Sequence, residues 1–151
     1  MHGSRFPSAR TSTCSSSAAT EARLVNSVGT MSPLTYTVAL GDVDGDGDLD
    51  MALGEWQGQN TIYLNSGTGT FSFGSNFGTG IDQTSSIAFG DVDNDGDLDI
   101  ACANYGQQGV IYANDSIGNF TTLANFGSSS ANTNAITFGD VDGDGDLDLA
   151  L

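Results

Sequence analysis

The chain has 151 residues, of which 19 are Asp or Glu and only three are Lys or Arg, so its formal net charge is −16. Every basic side chain lies before Leu24. All the acidic residues except Glu21 lie after it, in a part of the chain that has no Lys, Arg or His. Phosphate groups, nucleic acid and anionic membranes are bound through cationic groups, so this composition excludes them as direct partners and favours metal cations. No stretch is long and apolar enough to predict membrane insertion.

The segment at positions 1–23 is rich in Ser, Thr and Ala, which predicts a disordered or leader segment without a secretory signal peptide. Its Arg and Ser content also resembles an organelle transit peptide, but we favour a disordered leader or a start placed inside a larger gene. Residues 24–30 (LVNSVGT) are weakly similar to residues 73–79 (FGSNFGT), as though they ended an earlier repeat. Cys14 and Cys102 do not support a disulfide framework, and we predict that Cys102 is a buried free thiol.

An internal repeat of about 49 residues organises the rest of the chain. Its most conspicuous segment is GDVDGDGDLD at 41–50, GDVDNDGDLD at 90–99 and GDVDGDGDLD at 139–148. Other residues keep the same spacing, for example Tyr63 with Tyr112 and Asn65 with Asn114. The repeats occupy about residues 37–85, 86–134 and 135–151, the last of them truncated.

Each complete repeat contains four segments with strand patterns. In the first repeat, an apolar segment at 38–40 precedes the Asp-rich sequence, and the segment at 49–53 has the pattern of a strand buried on both faces. A strand at 61–64 follows, and residues 70–73 alternate polar and aromatic side chains as a half-buried strand does. Four short strands in a repeat of this length are typical of a propeller blade.

We therefore predict an all-β fold, a partial β-propeller of four-stranded antiparallel blades. Two complete and two partial repeats cannot close a ring of ordinary size, so we expect exposed sheet edges at both ends of the array.

The Asp-rich sequences have the spacing of a calcium loop. In the first one, carboxylates stand at positions 1, 3, 5 and 9 (Asp42, Asp44, Asp46 and Asp50), and a glycine at position 6 permits a sharp turn. Ca²⁺ takes about six to eight oxygen ligands in irregular geometry, whereas Mg²⁺ requires an octahedral site and Zn²⁺ prefers nitrogen or sulfur. Because four carboxylates without a cation would repel one another, the loop predicts bound Ca²⁺.

An EF-hand is excluded by two features of these loops. An EF-hand requires a bidentate Glu at position 12 and a helix on each side. Position 12 is occupied here by Leu53, Cys102 and Leu151, and the flanking segments have strand patterns. Position 4 is Gly45, Asn94 or Gly143, which are residue types that adopt positive φ readily.

The pattern D-x-D-x-D-G-x-x-D between two strands, preceded by Leu40-Gly41, Phe89-Gly90 or Phe138-Gly139, resembles the FG-GAP/VCBS repeats of integrin-α-type β-propellers. The resemblance covers residues 24–151. It implies that positions 1, 3, 5 and 9 bind Ca²⁺ through side chains and position 7 through its backbone carbonyl, so the position 7 side chain should face water. The implied ligands are Asp42, Asp44, Asp46, Asp48 and Asp50; Asp91, Asp93, Asp95, Asp97 and Asp99; and Asp140, Asp142, Asp144, Asp146 and Asp148.

These features favour a binding or adhesion module in which three Ca²⁺ ions are structural and whose partners are extracellular or cell-surface proteins or glycans. Because His and Lys are absent from Leu24 onward, the repeats contain no nucleophile–base pair, so we do not expect an enzyme. The alternative is an accessory calcium propeller region of a larger secreted polysaccharide-active enzyme. Trp56 and Tyr105 occupy equivalent positions, and they either stack on sugars or pack against a neighbouring strand.

Overall fold

The computed structural model describes residues 34–151. The predicted leader at 1–23, the segment at 24–30 and Cys14 lie outside these residues. Ten strands and no helix are present in the described part of the chain, and nothing there could cross a membrane as a helix. The prediction of an all-β fold is confirmed.

The strands form three antiparallel sheets with the orders β1-β2-β3-β4, β5-β6-β7-β8 and β10-β9. Their bounds are β1 Thr35–Gly41, β2 Asp50–Glu55, β3 Asn60–Asn65, β4 Phe71–Phe77, β5 Thr84–Gly90, β6 Asp99–Asn104, β7 Gly109–Asn114, β8 Phe120–Phe126, β9 Thr137–Gly139 and β10 Asp148–Ala150. The two four-stranded sheets are the first and second blades of a partial β-propeller, and β9 with β10 forms the described part of a third. The sheets do not close on themselves.

The hairpin register places each Asp-rich loop at the same point of its blade. Gly41 pairs with Asp50 at the last residue of β1 and the first of β2, and Gly90 pairs with Asp99 in the second blade. The strand β4 is longer than the alternation at 70–73 predicts, because it continues to pair with β3 as far as Asn60 and Phe77.

The hydrophobic core lies between the blades. Ala52, Ile62 and Phe77 of the first blade pack against residues of the second blade that include Ile100 and Tyr112, all of them buried. A smaller cluster joins the second and third blades. We call the side of a blade that faces the preceding blade its leading face, and the opposite side its trailing face. The central strands β2 and β6 are largely buried because each contributes to both faces, as predicted.

The glycine at the end of the first strand in each of the first two blades allows the next blade to pack closely against it. A Cβ atom added at Gly41 would lie 2.9 Å from Leu98 Cδ1 and 3.0 Å from Phe89 Cδ2. A Cβ at Gly90 would lie 2.8 Å from Phe138 and 2.9 Å from Leu147 in the same arrangement. The Phe and Leu side chains of one blade therefore rest directly on the backbone of the blade before it.

Cys102 is a buried free thiol in the core between the first two blades, as predicted. Burial raises the pKa of this thiol well above its usual range, so it stays protonated in the folded protein.

Candidate metal centre

Each Asp-rich loop brings three carboxylates together. Oxygen atoms of the residues at positions 1, 3 and 9 all lie within 4.8 Å of one another in every loop. The three groups are Asp42, Asp44 and Asp50; Asp91, Asp93 and Asp99; and Asp140, Asp142 and Asp148. Three clusters that could hold metal ions therefore recur at the spacing of the repeat.

The carboxylate at position 1 winds the loop around itself. Asp42 Oδ1 accepts a hydrogen bond from the Asp46 N–H at 3.1 Å, and its Oδ2 accepts one from the Gly47 N–H at 2.9 Å. The equivalent bonds of Asp91 are 3.0 and 3.1 Å long. The backbone of the loop thus wraps one carboxylate, which keeps that carboxylate beside those at positions 3 and 9.

Positive φ angles at positions 4 and 6 make this winding possible. The angle is 73° at Gly45 and 91° at Gly47, and Asn94, at position 4 of the second loop, has φ of 60°. Side chains other than Asn and Asp rarely adopt such a conformation, so the residue types at these positions follow from the backbone. The prediction made from Gly45, Asn94 and Gly143 is confirmed.

Position 9 joins the loop to the blade. Asp50 is fully buried, and its Oδ2 accepts from the Val43 N–H at 2.9 Å while its Oδ1 accepts from the Asn65 N–H at 2.8 Å. Asp99 makes the same pair of bonds in the second blade. Each carboxylate oxygen has two lone pairs, so both oxygens retain the capacity to bind a cation as well.

Position 5 lies outside the three clusters in this structure. The side chains concerned are Asp46, Asp95 and Asp144. Each of them accepts a hydrogen bond through Oδ1 from the N–H of position 7 at 2.9 Å. They are exposed and lie on the same loop as the clusters, but the structure does not bring them within reach of the other three carboxylates.

In the first two loops, position 7 differs from the expectation of a side chain that faces water, whereas Asp146 in the third loop is exposed. Asp48 is half-buried over the β3–β4 turn, where a Cβ atom added at Gly67 would lie 2.5 Å from its Oδ2. Asp97 accepts a hydrogen bond from the Ser116 hydroxyl in the matching turn. The β3–β4 turn and its counterpart lie beside the loop, so in these two blades the position 7 side chain contacts a neighbouring turn and is not part of the carboxylate cluster.

Two asparagines, which in the sequence stand out only by their equivalent positions in the repeat, also belong to the site. Asn114 Nδ2 donates to the Leu98 carbonyl at 3.2 Å in its own blade and to the Val43 carbonyl at 2.8 Å in the first loop. Asn65 makes the bond within its blade, to the Leu49 carbonyl at 3.1 Å. Their equivalent positions in the repeat are the signal that the sequence offers, but their role depends on contacts between loops and blades.

All three loops lie at one end of the blades. Asn114 links the second blade to the first loop, and Asn94 Nδ2 in the second loop donates to Asp146 Oδ1 in the third at 3.1 Å.

Electrostatic repulsion acts on the carboxyl groups at position 3. Desolvation, followed by repulsion from Asp50, raises the pKa of Asp44 above its ordinary value of 3.8.

The residues present fit a hard divalent cation. The clusters offer carboxylate oxygen and no nitrogen or sulfur ligand, which suits Ca²⁺ better than Zn²⁺. The raised pKa of Asp44 has a counterpart in Asp93, where desolvation and then repulsion from Asp95 act in the same direction. A cation would relieve this repulsion.

The opposite end of the blades carries aromatic side chains. The rings of Tyr36 and Trp56 are 5.0 Å apart, and those of Trp56 and Tyr105 are 5.5 Å apart. Trp56 therefore packs between two other rings and joins the first blade to the second. Of the two interpretations of Trp56 and Tyr105, packing against a neighbouring strand is the one that these contacts support.

A family model described as an FG-GAP-like repeat matches residues 42–102 and again residues 91–151. Together the two matches cover more than two thirds of the chain. The chain belongs to the FG-GAP-like repeat family. FG-GAP-like repeats are typically non-catalytic repeat modules of β-propeller type. A comparison with curated proteins finds no match.

Proposed function

We propose that each Asp-rich loop of this FG-GAP-like repeat protein binds one Ca²⁺ and that the ions rigidify a scaffold for binding or adhesion. The observation that carries the proposal is the repeated cluster of three carboxylates within 4.8 Å. Three clusters with the same geometry at one end of the blades are unlike a scattered acidic surface. The side chains at positions 1, 3 and 9 hold the ion, and the position 7 carbonyl and the position 5 carboxylate complete the set of oxygens when the loop tightens around it.

Calorimetric titration tests the stoichiometry. The expected result is three Ca²⁺ per chain, with Mg²⁺ bound more weakly because it gives up its water reluctantly. Fewer than two sites, or a preference for Mg²⁺, would contradict the proposal.

The substitution Asp44→Asn is a suitable probe of one site, because Asp44 takes part in the fold only through one long bond of 3.3 Å from the Asp46 N–H. It should remove one binding event from the titration. Asp115→Asn is the matched control, since Asp115 is an exposed acid that belongs to no cluster. If Asp115→Asn reduced Ca²⁺ binding as much as Asp44→Asn does, general attraction to the negative charge would explain the binding. Specific sites in the loops would then be ruled out as the cause.

The roles within a loop are separated by a second pair of variants. Asp46→Asn removes a charge from a position proposed to bind through its side chain, so it should weaken the first site substantially. Asp48→Asn keeps the proposed carbonyl ligand, and its side chain contacts the turn at Gly67, so affinity should change little at moderate salt. Equal losses of Ca²⁺ affinity would contradict this assignment of ligands.

We also propose that the module acts outside the cell or on its surface, with proteins or glycans as partners. Weak sites, with Kd on the order of 10⁻⁴–10⁻³ M, suit extracellular modules because only extracellular Ca²⁺ is concentrated enough to fill them. The Kd values from the same titration test this assignment. Binding tighter than about 10⁻⁶ M would instead fit the range of intracellular sensors and buffers.

A further inference from the structure

The leading face of the first blade is an exposed apolar surface in the described structure. Val38, Leu40 and Leu49 are 57, 58 and 56 % exposed. Of their counterparts in the second blade, Ile87 lies in the core between the blades and is 8 % exposed, while Phe89 and Leu98 are half-buried. We call this surface of the first blade the open face. The same repeat positions are thus covered by a neighbouring blade in one case and exposed in the other.

The open face contains a cavity of about 430 Å³ whose lining includes Leu40, Leu49, Asn65 and Gly69. The repeat shows what fills such a cavity. In the second blade, Asn114 is the counterpart of Asn65 and Gly118 is the counterpart of Gly69. Both contact Val43, the valine at position 2 of the first loop.

That contact is close. Asn114 Nδ2 lies 2.8 Å from the Val43 carbonyl, and a Cβ atom added at Gly118 would lie 3.4 Å from Val43 Cγ2. Val43 is only 2 % exposed as a result. The cavity of the open face therefore has the lining that receives the loop valine of a preceding blade.

The third blade presents the complementary features without a partner among the described residues. A Cβ atom added at Gly139 would meet nothing within 4 Å, whereas the equivalent Gly41 and Gly90 are covered by Phe and Leu side chains. Val141, the counterpart of Val43, is 77 % exposed. The trailing side of the third blade thus offers Gly139, the glycine on which the side chains of a following blade rest. It also offers Val141, the valine that a cavity like that of the open face receives.

We propose that the open face of one copy of this chain binds the trailing side of the third blade of a second copy. Leu40 and Leu49 would lie on the backbone at Gly139, Val141 would enter the cavity, and the Asn65 amide would donate to the Val141 carbonyl. Each contact repeats one that already joins the first and second blades. Because the two surfaces differ, the association is head-to-tail and leaves one of each surface available for further copies.

Net charge opposes this association and sets the conditions for observing it. Two copies that each carry a formal charge of −16 repel one another, and salt screens that repulsion. The apolar contacts themselves contain no acidic side chain. Self-association should therefore strengthen as the ionic strength rises. Because Val141 lies between the proposed ligands Asp140 and Asp142, the association is measured both with Ca²⁺ and with a chelator.

Sedimentation velocity of the full chain over a range of concentrations at moderate salt tests the proposal. We expect concentration-dependent assembly of the wild type. Leu40→Ser alters the open face at an exposed position, and Gly139→Val blocks the other surface, where an added Cβ atom meets nothing within 4 Å among the described residues. Each variant alone should associate at least about tenfold more weakly, which is the loss expected on removing one buried leucine contact.

The decisive sample is an equimolar mixture of the two variants. Leu40→Ser keeps the Gly139 surface and Gly139→Val keeps the open face, so the mixture should form one-to-one dimers at concentrations where each variant alone stays monomeric. Ile81→Ser is the control, because Ile81 is 71 % exposed but lies in the connection between β4 and β5. It should assemble like the wild type.

Three results would overturn the proposal. A wild type that remains monomeric at every concentration and salt would show that the open face is not an interface between copies, as when residues outside 34–151 cover it. Variants no weaker than Ile81→Ser would place the contact elsewhere. Assembly of the wild type without dimers in the mixture of variants would indicate a symmetric interface.

Discussion

The first and third loops share the sequence GDVDGDGDLD but have different surroundings. In the first loop Val43 is 2 % exposed and Asp50 is fully buried, whereas Val141 is 77 % exposed and Asp148 is exposed. Both loops wind in the same way, with φ of 91° at Gly47 and 97° at Gly145. The winding is therefore a local property of the sequence, while the burial is supplied by neighbouring strands.

Two neighbours account for the difference. The N–H of Asn65 in β3 donates to Asp50, so the first loop is bonded to a strand that the described third blade does not contain. The second blade adds the hydrogen bond from Asn114 to Val43. Asp148 keeps the bond within its own loop, from the Val141 N–H at 2.9 Å. An FG-GAP-like loop is thus completed by its own β3 and by the next blade.

The largest expected effect is on folding. Asp50→Ala should lower the free energy of unfolding by about 2–5 kcal/mol, because it leaves the N–H groups of Val43 and Asn65 without acceptors in a buried site. Asp148→Ala should cost about 0.5 kcal/mol or less, since the exposed Val141 N–H can bond to water. Urea unfolding in the presence of a chelator measures both values without a contribution from metal. Equal losses of unfolding free energy in the two variants would mean that the surroundings of the loop do not affect its contribution to stability.

The next effect concerns calcium affinity. The first loop is bonded to β3 and to the second blade before the ion binds, whereas the third lacks these contacts among the described residues, so the first site should be about tenfold tighter. Asp44→Asn should remove a tight site from a calorimetric titration and Asp142→Asn a weak one. If both substitutions removed the same class of site, the neighbouring strands would not tune the metal.

A smaller effect is expected when the first loop is made to resemble the third. Asn114→Ala removes the bond to the Val43 carbonyl, together with the bonds to the Leu98 carbonyl and from the Gly118 N–H in its own blade, and should cost about 1–3 kcal/mol of stability. It should also shift the Ca²⁺ affinity of the first site toward that of the third. Asn119→Ala is the control, because Asn119 is an exposed turn residue bonded to Asp115. Hydrogen exchange across the first loop should increase in the first variant only.

The smallest effect is a pH dependence. The pKa of Asp44 is raised by desolvation and by repulsion from Asp50, so its protonated form stabilises the calcium-free protein. This stabilisation is present below the unfolded pKa and is lost as the pH rises through the folded value, which lies above 3.8. Asp44→Asn does not titrate at this position. In chelator, the melting temperature of Asp44→Asn should exceed that of the wild type near neutral pH, and the difference should narrow on acidification. A difference that widens would contradict this sign.

Much of the fold could be predicted because its signals are local. Strand patterns, the internal repeat and the turn-forming residues Gly45, Gly47 and Asn94 all concern neighbours in sequence, and the structure agrees with them. The β4 strand was predicted too short, since residues 74–77 (GSNF) lack alternation and join the sheet only through pairing with β3.

The rest depends on residues far apart in the chain. The contact of Asp48 with the turn at Gly67 and the bond from Asn114 to the distant Val43 follow from how turns and blades are placed. Exposed sheet edges were expected at the ends of the array. The first blade also exposes an apolar face, which was not expected, because alternation along β1 places Val38 and Leu40 on one side of the sheet.

The three loops give the molecule a polar axis. Fifteen of the 19 acidic residues lie in the loops at one end of the blades, and the rings of Tyr36, Trp56 and Tyr105 lie at the other. On a positively charged support, the metal-free protein should adsorb with its loops downward and its aromatic end facing the solution. Each divalent ion taken up by a loop would cancel two charges at the adsorbed end, so calcium would release the protein from the support at lower salt than it otherwise requires.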